Sequence, residues 1–459
     1  MNIYKWRGAK VCSIAALASR SNLLITLEVY GYVSYVSLTE ISTIQYWMLT
    51  GGGVIDYESY QDYQDVLCLI LKMMLKKRAM SVLSICLVLM IFNMFIISDF
   101  VWRFNYVLYP LTCDTFGPPS LVTDTLELKS LLKEGPFKFL PDFKNPCFYG
   151  NKSRLIKSLR CLPYFFIAGF PKCGSTDLWK RLTYHPEIIT LHPKESSFFD
   201  GRRFHLDHAW TLEDFIDTFQ KDAEVIRKNS TYNKSETLLF HKLITGEASV
   251  NTAAMNDLWY KLPENSGLME PRYTNANYLR HLIPQVRLIF IMRDPTERLW
   301  SEYVYSARAN CFHASSEDFH ELMLESISRF QNCLQNYSEK SCVYNFTIDT
   351  FKGRLRTGLY VMHIVDWLRV FPRDQVLFIR SEEYEKDIPY TLKRIFKFLD
   401  IGSPPDDIFK QMVECERQNV QTFKGNISTK TKTLLDSFYQ PYNSRLSNLL
   451  GEYNLQENN

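Results

Sequence analysis

A glycine-containing loop between an apolar run and a helical pattern is the first place in this sequence where the residue types could do chemistry. Residues 164–182 read YFFIAGFPKCGSTDLWKRL, which predicts a buried strand, a tight loop and a helix. A glycine at the turn lets the backbone approach an anion, and the free N–H groups at the helix start point toward such a ligand. The residues expected to hold the anion are Lys172, Cys173, Gly174, Ser175, Thr176 and Asp177. The loop therefore predicts a phosphate-binding site.

The position of the lysine separates this loop from that of ATP-binding enzymes. In the pattern G-x-x-x-x-G-K-[ST] the lysine follows the second glycine and reaches the β- and γ-phosphates. Here Ser175 occupies that position, and Lys172 precedes Gly174 by two residues. A cation on the entering side of the loop suits the oxygen of a leaving phosphate. A true ATPase loop and a plain strand–turn–helix corner are the alternatives.

A second candidate anion site follows further along the chain. The stretch LIFIMRDPTERLWSEYVY (288–305) predicts a buried strand and then a helix capped by Asp294, with proline at its first position. Arg293 then leaves the strand at the edge where open α/β sheets bind ligands. Ser301 lies a little over two helical turns further on and can project to the same side. Together they could clamp a second phosphate; the alternative makes Asp294 a metal-binding acid and Arg293 a surface charge.

Three apolar runs, each followed by a helical pattern, would position these residues. They are residues 164–170, 286–292 and 375–380. Such alternation is typical of strands buried on both faces of a parallel sheet. No internal repeat with a period of about 20–50 residues is visible, which argues against solenoids and propellers. The sequence predicts an α/β fold, with a P-loop-like parallel sheet flanked by helices.

Composition and charge restrict the classes of partner. The chain has 459 residues and a formal net charge of only +3, so no global basic field predicts a nucleic-acid partner. Residues 79–98 are uncharged and apolar, and a stretch of about 20 such residues can span a bilayer. Basic residues on its N-terminal side place the N-terminus in the cytosol by the positive-inside rule: Lys72, Lys76, Lys77 and Arg78. A cleaved signal peptide and a buried core helix are the alternatives.

The positions of glycosylation triplets and cysteines agree with that topology. The triplets N-x-Ser/Thr begin at Asn151, Asn229, Asn233, Asn336, Asn345 and Asn426, all beyond the apolar stretch. Their one-sided distribution fits a luminal C-terminal part. Eight of the eleven cysteines also lie beyond it, where disulfides persist. Cys333–Cys342 is the first candidate bridge and Cys147–Cys161 the second, although the sequence alone does not fix the connectivity.

Two separate phosphate sites in one α/β domain resemble the pattern of the sulfotransferases. PKCGST is similar to their 5′-phosphosulfate loop, and RDPTERLWSEY is similar to their 3′-phosphate segment. Longer stretches, among them residues 161–188 and 332–347, resemble the N-acetylgalactosamine 4-sulfate 6-O-sulfotransferase branch of the Golgi carbohydrate sulfotransferases. The resemblance implies the sulfotransferase fold and the donor 3′-phosphoadenosine 5′-phosphosulfate (PAPS). The expected organisation is a cytosolic segment 1–78, a transmembrane helix 79–98, a luminal stem 99–160 and a sulfotransferase domain 161–455, in a single-pass type II protein of the Golgi membrane.

Sulfuryl transfer to a sugar hydroxyl needs a base, a cation near the leaving phosphate and in-line alignment. Lys172 is the candidate cation. The resemblance implies that Glu195 is the base, because related enzymes carry a catalytic glutamate in a Lys-Glu-x-x-aromatic-aromatic segment and KESSFF (194–199) matches it. Burial beside Phe198 and Phe199 would raise the basicity of this carboxylate. The alternatives are that Glu195 merely pairs with Lys194 or Arg202, and that His192 is the base.

The resemblance also implies an anionic acceptor, a glycosaminoglycan of the chondroitin or dermatan type. The candidate substrate residues are Lys194, Arg202, Arg203, Glu247 and Ser249, with Lys180 and Arg181 nearby. Lys424 resembles a residue of a late loop that closes over the 3′-phosphate in relatives, but Asn426 stands where a basic residue is often seen. No metal is expected, and a homodimer is one possible assembly.

Three other functions are kept beside this hypothesis. A sulfotransferase for a heparan-type glycan would use the same donor site. A luminal P-loop kinase or NTPase would need a lysine at the position of Ser175 and a metal-binding acid. A lectin-like binder would have a damaged loop or no base, whereas Lys172 and Glu195 are both present.

Overall fold

The computed structural model describes residues 13–19, 22–29, 32–34, 130–153, 156–204, 209–229, 231–232, 239–309, 312–350, 352–418 and 425–454. The predicted membrane-spanning stretch 79–98, the first part of the predicted stem and Lys424 lie outside these residues. In the part of the chain that the structure describes, no helix has the length and apolar character needed to cross a membrane. The chain divides into two units, Met1–Thr115 and Phe116–Asn459.

The first unit contains a small antiparallel sheet. Its strands are β1 (Ser13–Ser19), β2 (Asn22–Val29) and β3 (Tyr32–Ser34), hydrogen-bonded in that order. The sequence predicted no motif in this region.

The second unit is built on a parallel sheet, as predicted. Its strands in chain order are β4 (Cys147–Ser153), β5 (Ile156–Cys161), β6 (Phe165–Gly169), β7 (Ile188–Ile189), β8 (Thr231–Tyr232), β9 (Leu239–Phe240), β10 (Ile244–Glu247), β11 (Arg287–Met292) and β12 (Val376–Arg380). Five of these described strands form the central sheet in the order β12-β11-β6-β10-β7, and every neighbouring pair is parallel. All five residues of β6 are buried, which is why this strand is apolar at every position.

Helices flank the sheet. They are α1 (Ser175–Leu182), α2 (Leu212–Thr218), α3 (Gln220–Lys228), α4 (Asn275–Leu282), α5 (Pro295–Ala309), α6 (Ser316–Leu334), α7 (Glu339–Val343), α8 (Tyr360–Leu368), α9 (Ser381–Lys386), α10 (Ile388–Leu399), α11 (Asp406–Glu414) and α12 (Thr429–Asn454). Side chains of α5, α6 and α12 form a second apolar cluster beside the one that covers the sheet. The predicted β–α units that begin at residues 164, 286 and 375 are therefore present. In the third unit the short helix α9 lies between strand β12 and the predicted helix α10.

A close contact explains the glycine of β10, a strand that the sequence did not predict. A Cβ added to Gly246 would lie 2.2 Å from a ring carbon of Phe165 on the neighbouring strand. Only glycine therefore lets these two strands pair at this register. β10 also has only four residues, too few for a periodic signal.

Part of the predicted stem packs against the domain. Strands β4 and β5 pair as an antiparallel hairpin, and Leu159 and Cys161 pack in one cluster with Ala223 and Ile226. Residues 130–153 and 156–160 therefore extend the folded unit toward the N-terminus beyond the expected boundary at residue 161. Both predicted bridges, Cys147–Cys161 and Cys333–Cys342, are formed.

Candidate active site

The loop between β6 and α1 has the shape of an anion cradle. Lys172 and Gly174 adopt left-handed backbone conformations, with φ of 66° and 92°, and α1 begins at Ser175. The first N–H groups of a helix have no acceptor within the helix, so those of Ser175 and Thr176 are available to a ligand. These four residues and Asp177 line one cleft of about 520 Å³.

The ammonium group of Lys172 lies over an aromatic ring at the edge of the cleft. Its Nζ lies 4.0 Å from the centroid of the Tyr305 ring, and both residues line the cleft. Burial lowers the pKa of Lys172, and the nearby carboxylate of Glu302 opposes that shift. The ammonium group is thus partly desolvated, which strengthens its interaction with a phosphate oxygen.

Cys173 faces the core rather than the cleft. Its thiol is fully buried, with Sγ 3.6 Å from the carbonyl oxygen of Pro171 and 3.8 Å from the hydroxyl of Tyr360. Burial raises the pKa of this thiol to about 11. A neutral buried thiol is a poor nucleophile, so Cys173 contributes to the loop through its packing.

The predicted second anion site opens into the same cleft. The backbone N–H of Glu297 donates to Asp294 Oδ1 at 2.9 Å, so Asp294 caps α5 as the sequence predicts. Arg293 and Ser301 both line the cleft. The Arg293 side chain is about one-third exposed and is therefore accessible to a ligand.

Asp177 lies beneath the loop and fixes the segment that follows α11. Its carboxylate accepts hydrogen bonds from Arg181 Nε at 2.9 Å, from the Tyr384 hydroxyl and from the backbone N–H of Gln418 at 3.1 Å. Burial disfavours the charged carboxylate, but these hydrogen bonds outweigh it and lower the pKa of Asp177. Arg181, expected near the acceptor path, is buried and also donates to the carbonyl oxygen of Met412 at 2.6 Å. Its expected role in substrate binding is therefore wrong, because the guanidinium is used inside the fold.

Glu195 faces the cleft, but not in the surroundings that the sequence suggested. Its side chain is 47% exposed and forms an ion pair with Lys194. Phe198 and Phe199, at 1% and 2% exposure, turn into the core, where Phe198 stacks on Phe215 at 4.8 Å. The expected burial of Glu195 beside these aromatics is therefore wrong. The pairing with Lys194 is present, and the carboxylate still lines the cleft.

His192, the rival base, is buried outside the cleft. Its Nδ1 lies 2.5 Å from Asp222 Oδ2, and Asp222 also accepts hydrogen bonds from the N–H of Leu191 at 2.7 Å and the hydroxyl of Thr245 at 3.0 Å. Burial alone would lower the pKa of His192, but the hydrogen bond and charge of Asp222 raise it. This histidine holds the start of the loop in place.

The basic residues after Glu195 turn toward aromatic rings. The Arg203 guanidinium is buried and lies 4.9 Å from the ring of Phe204 and 5.0 Å from that of Tyr278; burial lowers its pKa to about 10. Arg202 lies 4.1 Å over the ring of Trp210. The expected role of Arg203 in substrate binding is therefore wrong, because its guanidinium is used inside the fold. Arg202 is not among the residues that line the cleft.

Glu247 and Ser249 are buried at the end of β10 and do not face a substrate. Glu247 Oε1 accepts the backbone N–H of Ser196 at 3.1 Å, and Ser249 Oγ accepts that of Ser197 at 2.8 Å. Their expected role as residues that touch the acceptor is wrong, because both are used to hold the loop that carries Glu195.

The sequence missed several residues of the cleft. They are Asn251, Glu302, Tyr305, Arg354, Ser381, Tyr384, Arg417 and Gln418. Glu302 accepts hydrogen bonds from Arg298 at 2.8 Å and Arg354 at 2.6 Å. Burial opposes the charge of Glu302, but Arg354 and Arg298 lower its pKa to about 2. Helical spacing from Ser301 could have indicated Tyr305, which lies four residues further on. Arg354 comes from a loop without a motif.

The sulfotransferase domain family matches residues 162–445 of this chain. The chain belongs to the sulfotransferase family. Carbohydrate sulfotransferase 15 of Rattus norvegicus is 33% identical over 332 residues, which cover 69% of this chain and 59% of that protein. The Homo sapiens protein of the same name is 35% identical over 307 residues, which cover 64% of this chain and 54% of that protein. The match thus spans little more than half the length of these relatives.

Among solved structures, a mouse sulfotransferase complexed with PAP is similar in fold over 63% of this chain and 89% of that chain. At 15% identity and a TM-score of 0.34, this likeness adds nothing to the family assignment.

The cleft of this sulfotransferase fits the phosphosulfate donor that the family uses in general. At Gly174 an added Cβ would find Ser381 Oγ no closer than 3.8 Å, so the ligand side of the loop is open. The hydrogen-bonding groups of the cleft suit two separate phosphates. Backbone N–H groups, hydroxyls and an ammonium group lie at the loop, and an arginine with a hydroxyl lies at α5. None of these groups requires the lysine that ATP-binding loops carry at the position of Ser175.

Proposed function

We propose that this chain transfers the sulfuryl group of PAPS to a hydroxyl of a glycosaminoglycan sugar, the 6-O of N-acetylgalactosamine 4-sulfate in chondroitin or dermatan sulfate. The observation that carries the proposal is a single cleft lined by Lys172, Ser175, Glu195, Arg293 and Ser301. A cation, a helix start, a carboxylate and a second anion clamp are the groups that an in-line transfer from a doubly phosphorylated donor requires.

On the donor side, each residue has one role in this proposal. The donor supplies the sulfuryl group and leaves with its 5′-phosphate. Ser175 and Thr176 hold that phosphate through backbone N–H groups and hydroxyls. Lys172 stabilises the charge that develops on the leaving oxygen. Arg293 and Ser301 hold the 3′-phosphate.

On the acceptor side, Glu195 removes the proton of the attacking hydroxyl. Its carboxylate faces the cleft and is accessible, which a base must be to reach a sugar hydroxyl. Lys194 pairs with it and orients the carboxylate, and its charge suits a sulfated acceptor. The acceptor class is supported by the carbohydrate sulfotransferase relatives and by the resemblance of residues 332–347.

Transfer of labelled sulfate from PAPS to a panel of glycans tests this function. The panel contains desulfated chondroitin, 4-sulfated chondroitin, dermatan sulfate and heparan sulfate, followed by disaccharide analysis of the labelled product. We expect label on the 6-O of 4-sulfated residues. Label on heparan sulfate alone would contradict the proposed acceptor but would still support sulfuryl transfer from PAPS. A folded protein that binds PAP but transfers sulfate to none of these glycans would overturn the proposal, and magnesium-dependent ATP hydrolysis would favour the kinase or NTPase alternative.

We also propose that the protein is a single-pass type II glycoprotein of the Golgi membrane. The support is the apolar stretch 79–98, the basic residues before it, the triplets that all follow it, and two disulfides in the later part of the chain. Protease protection in intact microsomes, with removal of glycans by endoglycosidase, tests this topology. Digestion of the C-terminal part in sealed vesicles would contradict it.

A further inference from the structure

The backbone around Glu195 is held in an unfavourable conformation. Glu195 and Ser197 have φ of 69° and 50°, in the left-handed region that residues other than glycine rarely adopt. Such conformations persist only where the surroundings hold them. The loop that presents the carboxylate to the cleft therefore needs anchors close to Glu195.

Two aromatic side chains supply one anchor. Phe198 and Phe199 are buried, and both pack against the ring of Phe215, at centroid distances of 4.8 Å and 5.6 Å. These contacts fix the chain after Ser197. They leave the two residues next to Glu195 to be held by polar contacts.

A buried pair at the end of β10 makes those polar contacts. Glu247 and Ser249 are 0% and 2% exposed. Glu247 Oε1 accepts the N–H of Ser196 at 3.1 Å, Ser249 Oγ accepts the N–H of Ser197 at 2.8 Å, and the Ser249 hydroxyl donates to Glu247 Oε1. Within the described residues, Glu247 Oε2 has no hydrogen-bond partner. One carboxylate oxygen and one hydroxyl thus hold two consecutive N–H groups directly after Glu195.

The pair is fixed to the same part of the sheet as the phosphate loop. β10 pairs with β6 in parallel, with Glu247 opposite Phe166, and β6 leads directly into the loop of Lys172. A shift of β10 would therefore move the carboxylate relative to the cation. The geometry between the two is set through one pair of adjacent strands.

We infer that Glu247 and Ser249 are positioning residues for sulfuryl transfer, which hold Glu195 in the left-handed conformation that directs its carboxylate into the cleft. This inference rests on the proposed function, in which Glu195 is the base. Neither residue touches the substrate; both act through the backbone of Ser196 and Ser197.

The central variant is Ser249→Ala, which removes the acceptor for the Ser197 N–H. We expect kcat to fall by about tenfold to a hundredfold, the cost of a small misplacement of a catalytic group. The KM for 4-sulfated chondroitin and the Kd for PAP should stay near wild-type values, because no binding contact is removed. Ser249→Thr keeps the hydroxyl and should restore most of kcat. In Glu247→Gln one side-chain oxygen remains to accept both hydrogen bonds, so it should lose less activity than Glu247→Ala.

A second measurement reports the loop itself. Hydrogen exchange of a peptide covering residues 191–200 should show faster exchange of the Ser196 and Ser197 amides in Ser249→Ala. Ser326→Ala is the matched control, because Ser326 is a fully buried serine of α6. It should leave kcat and this exchange unchanged even if it lowers the melting temperature.

Four outcomes separate the proposals. Wild-type kcat in Ser249→Ala despite faster exchange would overturn the positioning role, and so would unchanged exchange of the two amides. If Ser249→Ala does not fold, Glu247→Gln and Glu247→Ala carry the same test, and equal kcat loss in both would also overturn it. Failure of the wild type to transfer sulfate to any glycan would overturn the proposed function instead, while the exchange data still show whether the pair holds the loop.

Discussion

The two sides of the cleft are built in different ways. The donor side consists of strand–loop–helix corners, in which β6 leads into α1 and β11 leads into α5. The acceptor side is the loop around Glu195, whose backbone is hydrogen-bonded to Glu247 at the end of β10 and to Ser249 just after it. A corner is specified by its own residues, whereas a loop of this kind is specified by what it packs against.

The carboxyl groups on the two sides of the cleft also differ in their electrostatic surroundings. On the donor side, carboxylates are paired with arginines, and the pKa values of Asp177 and Glu302 are lowered. On the acceptor side, burial raises the pKa of Asp200 to about 7, with the charges of Glu247 and Glu195 adding to the shift. The acids of the donor side are thus held as charged partners of arginines, whereas burial on the acceptor side favours the neutral form of Asp200.

The largest expected effect belongs to the donor side. Lys172→Ala removes the cation next to the leaving oxygen, and we expect kcat to fall by about a thousandfold, as when one preorganised donor is lost. Steady-state transfer to 4-sulfated chondroitin measures it. Lys228→Ala, at an exposed lysine of α3, is the control and should be neutral. Less than a threefold loss in Lys172→Ala would mean that the donor side does not depend on this ammonium.

The next effect tests the acceptor side. Glu195→Gln keeps the shape of the side chain and removes its basicity, so kcat should fall by about a hundredfold, with no change in the Kd for PAP. Calorimetry with PAP and transfer assays measure the two quantities separately. Glu224→Gln, at an exposed position of α3, should behave as wild type. Full activity of Glu195→Gln would remove the base assignment and leave the donor site untouched.

A smaller effect should distinguish the two anion sites of the donor side. Arg293→Ala removes one charge-assisted contact, and we expect the Kd for PAP to rise by about tenfold. The Kd for adenosine 5′-phosphate, which lacks the 3′-phosphate, should change much less. The exposed Arg227 of α3 provides the control variant Arg227→Ala. An equal rise for both ligands would place Arg293 outside the 3′-phosphate site.

The smallest effect concerns the pH dependence of stability on the acceptor side. The folded protein keeps the proton of Asp200 up to about pH 7, whereas the unfolded chain loses it near the ordinary value of 3.8. Its contribution to the free energy of unfolding therefore falls as pH rises from about 4 to about 7. Asp200→Asn should gain stability relative to wild type over this interval and keep a constant difference above it. Urea unfolding at several pH values measures this, and a pH-independent difference would contradict it.

The same contrast explains what the sequence could predict. Strands β6, β11 and β12 and their helices were predicted because long apolar runs and the Asp294–Pro295 helix start are local signals. β10 was missed because four residues with a glycine carry no periodicity. Lys172, Arg293 and Ser301 were predicted from local spacing, and the structure brings them into one cleft. Arg354 and Arg417 reach that cleft from separate loops, so their positions could not be predicted from neighbouring residues in the chain. The burial of Arg203 could not be predicted either, because it depends on Tyr278, which is distant in sequence.

The central position of β6 in the sheet sets an order on how the protein is made. Both neighbours of β6, namely β10 and β11, come later in the chain. A growing polypeptide therefore carries a fully apolar strand with two unpaired edges until β10 has been synthesised, and with one unpaired edge until residue 292 has been synthesised. Such edges are prone to pair with other chains. The donor loop cannot reach its final shape before that point. Truncation before β11 should therefore give an aggregating fragment rather than a weaker enzyme.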